Sequence, residues 1–123
     1  RELAGEIYQF GLRDPENANK LYECSDNTDP IFLLKKWSNL IYLQKGHFAM
    51  QEIKNLKNGE FTKSIIHYVK ACKAANEKDP QTMIQNLHDA IHECQALKPI
   101  AALDANFDFY KNQNSFKDLL FPF

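Results

Sequence analysis

The sequence predicts an all-α fold: antiparallel helical hairpins stacked side by side and closed by a C-terminal capping helix. Three observations predict it. First, the 123 residues include only four glycines and five prolines, and β-branched residues are sparse beside Lys, Asn, Gln, Leu and Ala. Second, Asp-Pro occurs three times, at Asp14-Pro15, Asp29-Pro30 and Asp79-Pro80. An Asp carboxylate accepts the orphan N–H groups of a helix start, and Pro fits the first helical position because its missing N–H costs nothing there. Third, apolar residues recur every three or four positions, with no sustained period of two. A hydrophobic content of 44% against 25% charged residues is a globular balance, and the length suits one domain spanning 1–123.

The elements follow in order. Leu3, Ile7 and Phe10 mark a first helix, and Ala18, Leu21 and Tyr22 a shorter one after Pro15, giving a hairpin over about 2–24. After Pro30 come Leu33, Leu34, Trp37, Leu40 and Ile41; Gly46 breaks the pattern, and Phe48, Ala49, Ile53 and Leu56 resume it, giving a hairpin over about 30–57. After Gly59, Phe61, Ile65, Tyr68, Val69 and Cys72 lie on one face; after Pro80, Met83, Leu87, Ala90, Ile91 and Cys94 lie on another, giving a hairpin over about 60–95. The remainder, about 98–120, is rich in aromatics and reads as a lid, with Ile100 and Leu103 leading to Phe107, Tyr110 and Phe116. Phe121 and Phe123 flank Pro122 and are left either to pack back on the core or to serve as a sticky end.

The second and third hairpins superpose at an offset of 34 residues, which pairs Ile31 with Ile65, Lys36 with Lys70, Ala49 with Met83, Ile53 with Leu87 and Gly46 with Pro80. Trp37 then faces Ala71, a large residue opposite a small one, as interdigitated packing requires. The first hairpin fits only with a shift of one or two residues. A helix-turn-helix period of about 34 is the tetratricopeptide length, in which stacked units bury a continuous core.

The stretch YVKACKAANEKDPQTMIQNLHDAI, with Ala71-Cys72, the turn at Lys78-Asp79, and Met83, Leu87 and Ala90, resembles a divergent tetratricopeptide unit. The ending LKPIAALDANFDFYKNQNSFKDLL, carried by Asp104, Phe107, Asp108, Phe116, Leu119 and Leu120, resembles the segment that closes such groups of repeats. The resemblance covers residues 65–120 well, with Lys70 in place of a leucine and Lys78 in place of the turn glycine. It implies a right-handed superhelix whose first helices line a peptide-binding groove.

The sequence offers little chemistry. His88 and His92 share a helix face, and paired imidazoles at that spacing can hold zinc, but Cys94 points elsewhere and Asp89 stands where a metalloprotease helix has Glu. No phosphate loop or nucleophile elbow is present. Cys72 and Cys94 fall on apolar faces as small hydrophobes. No catalysis, metal or cofactor is therefore expected.

Charge is uneven: residues 1–34 carry net −4, residues 35–78 net +6 and residues 79–123 net −3. The basic middle is either a solvated lysine surface or an attractor for an acidic partner. On the second reading Lys36 and Lys70, at equivalent positions, join Lys73, Asn39 and Tyr42 in a ladder reading an acidic segment or C-terminal carboxylate. The function expected is protein–protein interaction, as an adaptor or scaffold. The rivals are self-association and, behind it, a metal binder or enzyme using His88 and His92. Nucleic acid is a poorer fit, because the basic region uses lysine without aromatic interleaving. Three widely spaced cysteines, no membrane-length run and no signal peptide suit a cytoplasmic protein. The chain begins at Arg1 rather than Met, which fits a trimmed, processed or partial chain.

Overall fold

A computed structural model of the chain describes residues 2–55 and 60–121. Leu56, Gly59, Pro122, Phe123 and the side chain of Phe61 lie outside the described residues. Those described are all-helical, with no strand. Helix α1 (Glu2–Glu6) runs directly into a π-helical turn (Ile7–Gly11), followed by α2 (Pro15–Glu23), α3 (Pro30–Tyr42), α4 (Gly46–Lys54), α5 (Glu60–Asn76) and α6 (Pro80–Glu93). Helix α7 (Leu97–Leu103), a 3-10 helix (Ala105–Tyr110) and α8 (Asn114–Leu120) complete it. None of the described helices is long and apolar enough to cross a membrane.

Each Asp-Pro pair starts a helix in the expected manner. Asp14 Oδ1 accepts from Asn17 N at 3.2 Å, Asp29 Oδ1 from Ile31 N at 3.0 Å, and Asp79 Oδ1 from Thr82 N at 3.2 Å. Pro15, Pro30 and Pro80 each stand at the first helical position.

The turns repeat at the same 34-residue spacing. Gln44 (φ 65°) and Lys78 (φ 59°) both take the left-handed conformation that usually selects glycine. Lys45 N donates to Leu40 O at 2.8 Å, and Asp79 N to Ala74 O at 3.0 Å. Gln44 N donates to Ile41 O and Lys78 N to Ala75 O. These backbone bonds thus recur 34 residues on, although Pro80 lacks the N–H of Gly46 and Asp79 caps α6 with its side chain where Lys45 gives α4 no such cap. Lys78 stands in the place of the glycine and adopts the glycine's conformation. The first turn differs. Its left-handed residue, Arg13 (φ 55°), precedes Gln44 by 31 residues, a shift of three rather than one or two.

Packing follows the hairpins. α1 and the π turn pack on α2, α3 on α4 and α5 on α6, while α2 meets α3 and α3 meets α5. One core runs through them. Trp37, Tyr22, Tyr68, Leu34, Ile65, Met83 and Leu87 are fully enclosed within it.

The first helix departs from its predicted face. Leu3 is 70% exposed and Ile7 50% exposed, while Gln9 is buried. Gly5 and Gln9, four residues apart, form the buried side of this helix, and Leu3 and Ile7, also four apart, its outer side. Gln9 Nε2 donates to Ser38 Oγ at 2.9 Å and Lys35 O at 3.0 Å, and its Oε1 accepts from the Tyr22 hydroxyl. Phe48, expected on the inner face of α4, is half-exposed.

The C-terminal segment covers the stack in two places. α7 and α8 pack on α6, while the 3-10 helix returns against α3 and α5. Phe107, Tyr110, Phe116 and Leu120 are buried, as a lid requires. Phe107 lies between the Tyr68 ring (5.8 Å between centroids, edge-on) and the Phe116 ring (5.6 Å). Such aromatics each remove about 150–250 Å² from water. Leu103 does not join them and is half-exposed.

Candidate functional site

Among the described residues, an open groove of about 570 Å³ lies between the end of α3, α4 and the C-terminal half of α5. Ile41 and Met50 give it an apolar floor, and Gln44, Gln51 and Asn76 add amides. Lys54, Lys73 and His47 line it against a single acid, Glu77. The repeated turn builds one edge: left-handed Gln44 turns the chain so that Gly46 and His47 begin α4 beside the groove, and Gln44 Nε2 donates to Asn76 Oδ1 at 3.3 Å across it.

The five residues of the predicted ladder are spread over different surfaces. Lys73 lines this groove. Lys70 is exposed one turn earlier on α5. Lys36 borders a recess of about 200 Å³ with Asn19, Leu40 and Phe48, where its Nζ pairs with Glu52 Oε1 at 2.9 Å. Glu52 Oε2 accepts from the indole N–H of Trp37. Asn39 is buried, and its Nδ2 donates to Pro15 O at 2.9 Å, an interhelical brace. Asn39 and Tyr42 border a small recess of about 70 Å³ together with Asp104 and Asp108. Positions 36 and 39 are only three apart on α3, yet their partners differ: Lys36 pairs with Glu52 of α4 and Asn39 with the Pro15 carbonyl of α2.

The strongest polar cluster was not singled out from the sequence. Asp104 is 1% exposed, and its Oδ2 accepts from the Tyr68 hydroxyl at 2.7 Å and lies 3.7 Å from Cys72 Sγ. Its Oδ1 accepts from Asn106 N and Nδ2, each at 2.9 Å. Asn106 Nδ2 also donates to Ser38 O at 2.8 Å, and Asn106 Oδ1 accepts from Asn76 Nδ2 at 2.7 Å. One segment thereby ties α3 to α5. Burial pushes the Asp104 carboxyl above its ordinary range, against the pull of its hydrogen bonds from Tyr68, Asn106 and Cys72. Burial, reinforced by the nearby carboxylate, pushes the Tyr68 hydroxyl and the Cys72 thiol well up. Cys72 is a buried protonated thiol, the opposite of an activated nucleophile. The sequence signal for the cluster is a lone acid between apolar runs, in LDANF, whose partners lie on two distant helices.

His88 and His92 lie on the outer face of α6, both exposed, and Cys94 caps that helix in extended conformation. Among the described residues, no group of three or more His, Cys, Asp or Glu side chains is placed to hold a metal ion.

The site therefore belongs to an all-helical protein of packed hairpins with an open, lysine-lined groove. Comparison with protein-family models, with curated proteins and with solved structures gives no match for this chain.

Proposed function

We propose that the chain is a non-catalytic protein-interaction module of the tetratricopeptide type, an adaptor or scaffold that holds an acidic segment of a partner protein. The observation that carries this reading is the groove of about 570 Å³, with an apolar floor and Lys54, Lys73 and His47 facing one acid. Its size and mixture of apolar floor and few polar groups suit a short peptide stretch. The exact recurrence of the turn at Gln44 and Lys78 supports the repeat reading. Lys73 is the member of the predicted ladder inside the groove; Lys70 and Lys36 contribute to its wider field. Three cysteines, an odd number at wide spacing, suit a reducing, cytoplasmic setting.

The test is fluorescence anisotropy with a panel of labelled acidic, neutral and basic peptides at low and moderate salt. Acidic peptides should bind, and a Lys54→Glu, Lys73→Glu variant should lose them, with Lys36→Glu, Lys70→Glu weakening binding less. Equal binding of all peptide classes, or no effect of charge reversal, would defeat the proposal.

A second reading, self-association, is favoured by a different observation. Ile7, Phe10, Pro99, Ile100 and Leu103 line an apolar recess of about 380 Å³, beside exposed Leu3. Sedimentation equilibrium would decide it: a mass that rises with concentration and returns to monomer in Ile7→Asp supports association.

A further inference from the structure

We propose that His88 and His92 form a surface chelate for an exchangeable divalent ion of the Cu²⁺, Ni²⁺ and Zn²⁺ class, with water completing the coordination. The two side chains stand four residues apart on α6, a helix of 14 residues. Their rings are 6.2 Å apart between centroids and within 10° of parallel, stacked on one face of the helix. Four residues of helix rise about 6 Å, which matches that separation. A metal held at about 2.0–2.1 Å from each imidazole nitrogen must lie in both ring planes, so the two exposed rings must turn out of the parallel stack until their planes meet at the ion.

The backbone beneath the pair is already fixed. Leu87 and Ile91, the residues just before each histidine, are buried in the core, and Asp79 caps the helix start. An ion therefore orders two side chains and nothing else. The Asp89 carboxylate, 3.5 Å from His88 Nδ1 and held by Gln85 Nε2 at 3.2 Å, adds negative charge beside the site. Imidazole selects borderline metals over Mg²⁺ and Ca²⁺, and among divalent ions Cu²⁺ binds such nitrogen sites most tightly. With two protein ligands rather than four, the site is labile and has no structural role.

The experiment is titration calorimetry of the untagged protein with CuCl₂, ZnCl₂ and MgCl₂ in a non-chelating buffer, with electron paramagnetic resonance of the Cu²⁺ complex. One Cu²⁺ per chain should bind more tightly than Zn²⁺, with no response to Mg²⁺. His88→Gln and His92→Gln should each weaken binding about tenfold or more, since even an outer-shell partner is worth that much. Nitrogen couplings should fall from two imidazoles to one, while His47→Gln leaves both readouts unchanged. Both positions are exposed, and unchanged circular dichroism would show that the variants fold. Cu²⁺ binding that survives the double variant, as at the amino terminus, or resonance showing a single imidazole in the parent protein, would overturn the proposal.

Discussion

Replacing Asp104 by Ala should destabilise the protein by about 3 kcal/mol at neutral pH, although the change removes a buried charge. Two effects oppose each other. The raised carboxyl pKa shows that burial penalises the ionised side chain, so deletion relieves a cost. Deletion also strands the Tyr68 hydroxyl, the Asn106 amide and the Asn106 side-chain amide, which donate to Asp104 at 2.7–2.9 Å. Each buried donor left unsatisfied costs about 1–3 kcal/mol, and three of them outweigh the relief. Water entering from the adjoining recess would satisfy one donor and pull the loss towards about 2 kcal/mol. For a chain of this size, 3 kcal/mol corresponds to a fall in Tm of about 12 °C.

Urea unfolding with unchanged m-value is the assay, paired with calorimetry. Tyr68→Phe alone should cost less, because the carboxylate keeps its Asn106 donors. In the double variant no hydroxyl is stranded, so its loss should fall short of the sum by at least about 1 kcal/mol. The pH dependence supplies an independent check. An acid whose folded pKa is raised contributes stability that is full below its ordinary value of 3.8 and is lost as pH climbs through the elevated folded value. The parent should therefore lose stability relative to Asp104→Asn as pH rises from 3.8 through the elevated folded value, and hold constant above it. A loss under about 1 kcal/mol for Asp104→Ala, with no pH-dependent difference from Asp104→Asn, would refute the reasoning.

Four further outcomes follow from the geometry. Gly5→Ala should lower stability by about 1–3 kcal/mol, because a Cβ there would meet Tyr22 Cε1 at 2.5 Å and Cδ1 at 2.9 Å, and the buried ring is anchored by Gln9; thermal unfolding checks it. Glu52→Ala should cost about 1–3 kcal/mol and shift the emission of the single tryptophan, since it strands the indole N–H and releases Lys36. Asp79→Ala should cost about 1 kcal/mol by uncapping α6, read by urea unfolding, whereas Asp108→Asn, which breaks half-exposed pairs with Arg13 and Lys111, should stay within about 1 kcal/mol.

Much of the fold was legible because its signals are local. The Asp-Pro starts depend on one carboxylate and the next three amides, so they read directly from sequence. The 34-residue register was visible in apolar spacing, and the left-handed residues Gln44 and Lys78 stand at that offset. Trp37 reads as core and is core, but its partner Glu52 lies 15 residues away on α4, beyond any local rule. The first helix read wrongly: its apolar residues Leu3 and Ile7 pointed to the core, but the buried side carries Gly5 and Gln9, which give no hydrophobic signal. The ladder failed to converge on one surface for a different reason. Equivalent repeat positions say where two backbones correspond, not what each side chain meets.

The density of aromatics in the tail follows from the two surfaces it must cover. The side of α6 turned towards α7 and α8 is an ordinary apolar end, which they close with Phe116 and Leu120 while His88 and His92 stay exposed. The face where α3 meets α5 is harder, because it presents the Ser38 carbonyl, the Tyr68 hydroxyl and the Asn76 amide as well as hydrocarbon. A purely aromatic lid would bury those groups unpaired, at a cost that its own burial would not offset. The 3-10 helix meets both demands by placing Phe107 among the rings while Asp104 and Asn106 satisfy the polar atoms. Because Asn106 bonds to α3 and α5 at once, it fixes one first helix against the next. That leaves this face filled by the chain itself and the α4-side groove open, with half-buried Met50 beside buried Ile41 on its floor and the lysines lining it.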